Sequence, residues 1–220
     1  VARKHGFGAP FMATPFAGIP GSGMHIHASV YDAAGNNIFA APQSTNPPQL
    51  MPRLRHAVAG LGSLLDASML CFAPNPNSYR RVQAGALAPS GKNWGYDHRD
   101  VALRIPRSNE QSRRIEHRVA GADANPYLVL AAVLAGVHWG LGQEGDPGAP
   151  VPREADLSED ETSLPIRLDD AIRFFSESRV MQNYLGEKFA RVYGAIRRGE
   201  SNDYYSQIPD LDYQWYLRAL

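Results

Sequence analysis

Gly21-Ser22-Gly23-Met24-His25-Ile26-His27-Ala28-Ser29-Val30-Tyr31 is the stretch on which the reading of the fold turns. Side chains of an extended strand point alternately to its two faces. Met24, Ile26, Ala28 and Val30 therefore share one apolar face, and His25, His27 and Ser29 share the other. The pattern predicts a strand resting on a hydrophobic core, with two imidazoles on its outer face able to reach one site. Taken alone, the pair reads equally well as surface histidines beside a glycine turn.

Two further segments repeat the design. In Arg114-Ile115-Glu116-His117-Arg118-Val119, the residues Ile115, His117 and Val119 share one face and Arg114, Glu116 and Arg118 the other. In Val101-Ala102-Leu103-Arg104-Ile105-Pro106, Arg104 opposes Val101, Leu103 and Ile105. Arg99 stands just ahead, after Trp94-Gly95-Tyr96-Asp97-His98. Each stripe alone fits a solvated strand with paired charges, or an arginine snorkelling to water. Together they predict an α+β fold with an antiparallel sheet whose polar face is an active site, packed by helices and followed by a helical C-terminal tail.

The helices are read from a 3.6-residue period. Leu54, Val58, Leu61 and Leu65 recur at that spacing, as do Leu185, Phe189, Val192 and Ile196. Asn125-Pro126 is a helix start, a capping side chain followed by proline at the first helical position. The helix it opens is apolar on nearly all sides and is expected to be buried. Asp210 to Leu220 reads as a short helix carrying Trp215 and Tyr216. Gly145-Asp146-Pro147-Gly148-Ala149-Pro150-Val151-Pro152, with the acidic stretch Asp156 to Glu161 after it, reads as an exposed connection. The chain thus divides into residues 1–145, which carry the strands, and residues 146–220, a linker and helical tail of the same domain.

Composition narrows the function. Of 220 residues, 44% are hydrophobic and 20% charged, which excludes a disordered chain. Lys+Arg and Asp+Glu are both 22, so the basic excess that nucleic acid or an anionic membrane attracts is lacking, and neither partner is expected. The apolar run Tyr127 to Val137 is too short to span a bilayer. One cysteine, Cys71, excludes a disulfide framework and a cysteine-only zinc site, and fits a reducing, cytoplasmic compartment. No signal-peptide pattern opens the chain. It begins Val1-Ala2-Arg3-Lys4 without methionine and is read as a piece of a longer protein. The cations are nearly all arginine, a bias that fits either a GC-rich genome or the handling of anions by guanidinium forks.

Imidazole with carboxylate is a ligand set for a divalent ion, and a mainly oxygen-based site suits Mg²⁺ or Mn²⁺. Convergent arginines neutralise phosphate and carboxylate groups. This equipment serves phosphoryl transfer, which depends on positioning and charge neutralisation. Neither a P-loop nor a Gly-x-Gly-x-x-Gly fingerprint is present.

The motifs Gly21-Ser22-Gly23-Met24-His25-Ile26-His27, Asn77-Ser78-Tyr79-Arg80-Arg81, Arg99 through Arg104-Ile105-Pro106, Arg114-Ile115-Glu116-His117-Arg118 and Asn125-Pro126-Tyr127-Leu128 resemble, in this order, the catalytic domain of glutamine synthetases. The resemblance runs from about Phe11 to Gly142 and is weaker in the tail. It implies ATP-dependent amide formation, in which glutamate is phosphorylated by ATP and an amine then displaces the phosphate. Carried over by residue, it makes His25 and Glu116 ligands of the metal, Mg²⁺ or Mn²⁺. His27 and Ser29 become nucleotide contacts, Arg104 and Arg114 arginines on the ATP phosphates, and Arg99 the group on the transferring phosphoryl. Arg99 and His27 are the catalytic candidates. Gly21, Arg81 and Arg118 become binders of glutamate. The family's rings imply a homo-oligomer.

Two departures sharpen the expectation. Pro20 precedes Gly21 where glutamine synthetases have asparagine. Leu87 stands where they carry a glutamate that holds and deprotonates ammonium. This loop and Trp94-Gly95-Tyr96-Asp97 look more like γ-glutamylputrescine synthetases and related γ-glutamylamine ligases, with Leu87, Trp94 and Tyr96 as expected walls for an organic amine. The alternatives are a glutamine synthetase using ammonium and a non-catalytic relative with a structural or regulatory role.

Overall fold

The structure is a computed structural model that describes residues 1–40, 50–83, 87–155, 157 and 164–218. Its longest apolar helix starts where the sequence places it. The Asn125 side chain accepts hydrogen bonds from the amides of Tyr127, at 2.9 Å, and Leu128, and Pro126 follows, opening α3 (Pro126–Gln143). The expectation of all-round burial needs correction. Val129, Ala132, Val133, Gly136, Val137 and Gly140 are buried, but Tyr127, Leu130 and Leu134 are exposed. The elements packed against α3 cover one side of it.

That side meets α1 (Pro52–Ser63) at unusually close range. A Cβ on Gly60 would stand 2.3 Å from Gly140 Cα, and one on Gly140 would stand 2.2 Å from His56 O. The two backbones touch, so only glycine fits at the crossing. After Leu64 the chain continues into α2 (Leu65–Phe72), whose Leu65, Met69, Leu70, Cys71 and Phe72 are buried. Cys71 is a free thiol inside this core, and burial pushes its pKa up to about 12.

The tail adds α4 (Leu168–Glu177), α5 (Arg179–Leu185), α6 (Glu187–Tyr205) and α7 (Asp210–Tyr216). Leu168, Ala171, Ile172 and Phe175 of α4 face α2 and join the same hydrophobic core as the sheet. The spacing of Leu185, Phe189, Val192 and Ile196 does not mark one buried stripe. Gly186, at φ 87, separates α5 from α6, and Phe189, Val192 and Ile196 are exposed. The buried side of α6 consists of small residues, Ala190, Gly194 and Ser201, which let it lie close against α4. Trp215 and Tyr216 are exposed on α7. The acidic stretch Asp156 to Glu161, residue 157 apart, and the last two residues of the chain lie outside the described residues.

Among the described residues, four short strands form one sheet: β1 (Ile26–Ala28), β2 (Trp94–Tyr96), β3 (Leu103–Ile105) and β4 (Ile115–His117), in the order β1-β4-β3-β2. β4 pairs antiparallel with β1 and β3, and β2 adds a parallel edge to β3. The fold is α+β, with the helices on the apolar side of the sheet.

The crossing of α1 and α3 gives a paired test. Gly60→Ala and Gly140→Ala should each destabilise the protein by about 1–3 kcal/mol through overpacking. Gly142→Ala, on the same helix with open space around it, should be neutral or stabilising by up to ~1 kcal/mol. Urea denaturation midpoints check both signs.

Candidate active site

The strand register builds the site. His27 pairs with Glu116, Glu116 with Arg104, and Arg104 with Gly95, so these four positions cross the sheet in one row on one face. The neighbouring row, Ile26, His117, Leu103 and Trp94, points to the core. The alternation seen in the sequence holds along β1, where His25, His27 and Ser29 are exposed and Met24, Ile26, Ala28 and Val30 half-buried.

Glu116 is the centre. It is 3% exposed. Its Oε2 accepts from Arg104 Nη1 at 2.7 Å, and its Oε1 accepts from Arg118 Nη1 at 2.5 Å, with His25 Nδ1 3.2 Å away. Burial alone would raise its pKa, but the hydrogen bonds and charges of the two guanidiniums outweigh this and hold the carboxyl below the usual range. The His25 imidazole is shifted the other way, below its ordinary value, by burial and by Arg118 against the pull of Glu116. It is therefore neutral at pH 7, the form that binds a metal.

The arginines are themselves oriented. Arg104 Nη2 donates to Asp97 Oδ1 at 3.0 Å, and the same oxygen accepts from the Arg107 amide at 2.8 Å. Burial pushes the Asp97 carboxyl up, but these two partners dominate and its pKa is lowered. Asp97 sits at φ 52, a left-handed conformation that aspartate tolerates better than most side chains. Sequence reading passed over Asp97 as a positioning group; an acidic residue between β2 and Arg99 was the available signal.

Arg118 Nε donates to Arg99 O at 2.9 Å. Beside it, buried His98 accepts from the Asp100 amide at Nδ1 and meets Ala155 O through Nε2 at 3.1 Å. The backbone of Arg99 is thus pinned while its side chain is exposed, with no ion pair among the described residues. Arg114 Nε donates to His27 Nδ1 at 3.1 Å, which places the imidazole proton on Nε2 as an available donor. Ser29 lies exposed two residues further along the same face.

Arg81 is placed differently from a free substrate contact. It is buried, and its guanidinium donates to Val119 O at 2.7 Å and Arg118 O at 3.3 Å. Gly21 and Gly23 close over it: a Cβ on Gly23 would stand 2.6 Å from Arg81 Nη2, and one on Gly21 would stand 2.4 Å from Ala13 O. In this arrangement Arg81 fixes the backbone that presents Arg118.

The amine walls expected from sequence do not assemble as a set. Trp94 is 5% exposed, because its register with Leu103 turns it to the core, and its indole N–H donates to Pro147 O. Tyr96 meets it edge-on at 5.6 Å. Leu87 is 78% exposed, and residues 84–86 before it lie outside the described residues.

His25 and Glu116 offer one nitrogen and one carboxylate to a divalent ion. Among the described residues no group of three or more His, Cys, Asp or Glu side chains comes together. The pair fits part of an octahedral Mg²⁺ or Mn²⁺ shell, which takes further oxygen ligands.

Residues 1–216 match the family described as glutamine synthetase, catalytic domain. The γ-glutamylputrescine synthetase PuuA of Escherichia coli K12 is 40% identical over 99% of the chain and 45% of its own length. A glutamate–isopropylamine ligase from a Pseudomonas species is 33% identical over 99% of the chain and 47% of its length. The glutamine synthetase of Rhizobium meliloti is 34% identical over 97% of the chain and 50% of its length. A solved structure of GmaS without ligand superposes with a TM-score of 0.87 at 31% identity, covering 99% of the chain and 50% of that structure. The chain belongs to the glutamine synthetase family. It spans about half the length of these relatives.

The core face of β4 yields its own test. His117 is fully buried, tilted against Phe72 at 4.4 Å, with neither ring nitrogen bonded, and burial lowers its pKa to about 3. The unfolded chain binds this proton near pH 6.5 and the folded chain does not. Stability must therefore fall as pH drops from about 6.5 toward 3. His117→Phe should flatten that dependence over the same window, as measured by urea unfolding at a series of pH values.

Proposed function

We propose that the full-length protein is an ATP-dependent ligase that joins the γ-carboxylate of glutamate to an organic amine through a γ-glutamyl phosphate. The observation that carries this reading is the row His27–Glu116–Arg104, with Arg99, Arg114 and Arg118 around it. A buried anion held between two guanidiniums, one of them bonded to the Arg99 backbone, with an imidazole donor beside it, suits the neutralisation of phosphate charge. The names of relatives add the acceptor class: putrescine for PuuA and isopropylamine for the Pseudomonas ligase.

In this reading, Arg104 and Arg114 bind the ATP phosphates, with His27 Nε2 and Ser29 as further nucleotide contacts. Arg118 takes the substrate carboxylate, with the Gly21 backbone at the edge of that subsite and Arg81 behind it. Arg99 reaches the phosphoryl group as it passes to the γ-carboxylate. The amine nitrogen then attacks the acyl carbon, phosphate leaves, and the amine loses a proton. Mg²⁺ or Mn²⁺ held by His25 and Glu116 would supply further charge neutralisation at the phosphates. Assembly into a homo-oligomeric ring in the cytoplasm belongs to the same proposal.

Leu87 directs the choice of amine. Ammonium needs a carboxylate nearby to hold it and take its proton, and an apolar side chain gives neither. A hydrocarbon amine can recover about 0.8 kcal/mol for each methylene it buries. Phosphate release by the full-length enzyme with glutamate and ATP should give a higher kcat/KM for putrescine, isopropylamine or ethanolamine than for ammonium. Ammonium as the best acceptor would make the protein a glutamine synthetase. No release with any of these amines would favour the non-catalytic reading.

Arg118→Ala should raise the KM for glutamate far more than that for ATP. The loss of a charge-assisted hydrogen bond is worth roughly 1.5–3 kcal/mol, on the order of ten- to a hundredfold in affinity. Steady-state kinetics with each substrate varied in turn checks the split.

A further inference from the structure

At the β2 edge of the sheet, Tyr96 and Ile105, which point away from the Glu116 face, line a cavity of about 420 Å³ with Pro106 and Val151. Three arginines, Arg107, Arg113 and Arg153, also line it. Arg113 is 8% exposed, and its Nε is buried without a hydrogen-bond partner. Ser108 Oγ, in the same wall, is likewise buried and unpartnered. None of the three guanidiniums forms an ion pair among the described residues. The carboxylate in the lining, Asp97, is engaged by Arg104 and the Arg107 amide.

Buried polar atoms in folded proteins are nearly always paired, and unpaired ones carry a free-energy cost. Here the unpaired groups can donate, and among the described residues the lining carries three guanidiniums against one carboxylate that is already engaged. A bound anion would satisfy both. Guanidinium forks match a carboxylate bidentately. The remaining wall of Tyr96, Ile105, Pro106 and Val151 favours a flat apolar body over a fully hydrated ion. This combination of convergent polar groups in a largely apolar concavity is that of a small-molecule site.

We propose that this cavity binds a small monocarboxylate with a flat apolar body, an aromatic or alicyclic acid, at a place separate from the Glu116 row. The acid's carboxylate lies on Arg113 and Ser108, its ring lies against Tyr96 and Ile105, and Arg153 closes the open side.

The test uses the full-length protein and calorimetric titration with benzoate, phenylacetate and cyclohexanecarboxylate. Benzyl alcohol and inorganic phosphate serve as the uncharged and non-apolar controls. Binding of at least one acid is expected, with benzyl alcohol binding less tightly and phosphate failing to displace the acid at equal concentration. Arg113→Gln should weaken it tenfold or more, and Arg153→Ala, an exposed position that leaves the core intact, several-fold. Arg99→Ala, on the catalytic side, should leave it unchanged. The proposal is overturned if no acid binds at millimolar concentration, if phosphate displaces the acid at equal concentration, or if Arg153→Ala leaves the affinity unchanged. Loss of binding in Arg99→Ala would equally overturn it, because the acid would then occupy the catalytic face.

Discussion

Glu116 holds a negative charge almost out of contact with water, and the polar face of the sheet is arranged around that fact. A carboxylate so placed stays ionised only with full compensation, and Arg104 and Arg118 supply it on separate oxygens. Each arginine then reaches outward. Arg104 ties Glu116 to Asp97 and so to the start of the loop that follows β3. Arg118 ties it to the backbone of Arg99. Removing Glu116 would leave two neighbouring guanidiniums with no common counter-ion, so the geometry of the whole face depends on one side chain.

Much of this face was legible because strand alternation is a local property. His25, His27, Arg104, Arg114, Glu116 and Arg118 could be assigned to the charged side from their own neighbours. What was not legible required knowledge of pairing. β2 contains Gly95, which has no side chain to declare a face, so the parallel edge and the inward turn of Trp94 emerge only from its register with β3. Asp97 follows the same rule: its partner Arg104 is separated from it by a loop and belongs to a different strand. The α6 stripe failed for a related reason. Helical period shows which residues share a side, but small residues such as Gly194 can make the better contact, and the larger apolar side is then left outward.

Arg81 shows how packing encloses a residue that a motif singles out. Its position matches the expected motif, yet two glycines and two backbone carbonyls enclose its guanidinium. Burial lowers its pKa, and the nearby charge of Arg118 works in the same direction, while Asp123 opposes both. An arginine held in this way sets the exit of β4 and the position of Arg118. The close crossing at Gly60 and Gly140 works similarly on the other side of the core, where the absence of side chains brings α1 and α3 into backbone contact beneath the sheet.

Adjacent residues of β4 show why the sheet can serve both a core and a charged site. Glu116 and His117 are equally hidden from solvent, but pleating sends one into a ring of guanidiniums and the other against Phe72. The first keeps its charge because partners outweigh burial, and the second stays neutral because nothing opposes burial. A one-residue slip in register would exchange these environments, placing an ionised carboxylate in the apolar core and an imidazole between two arginines. Both faces would be penalised together. The constraint that sets the Glu116 row is therefore also one that holds the short strands in register.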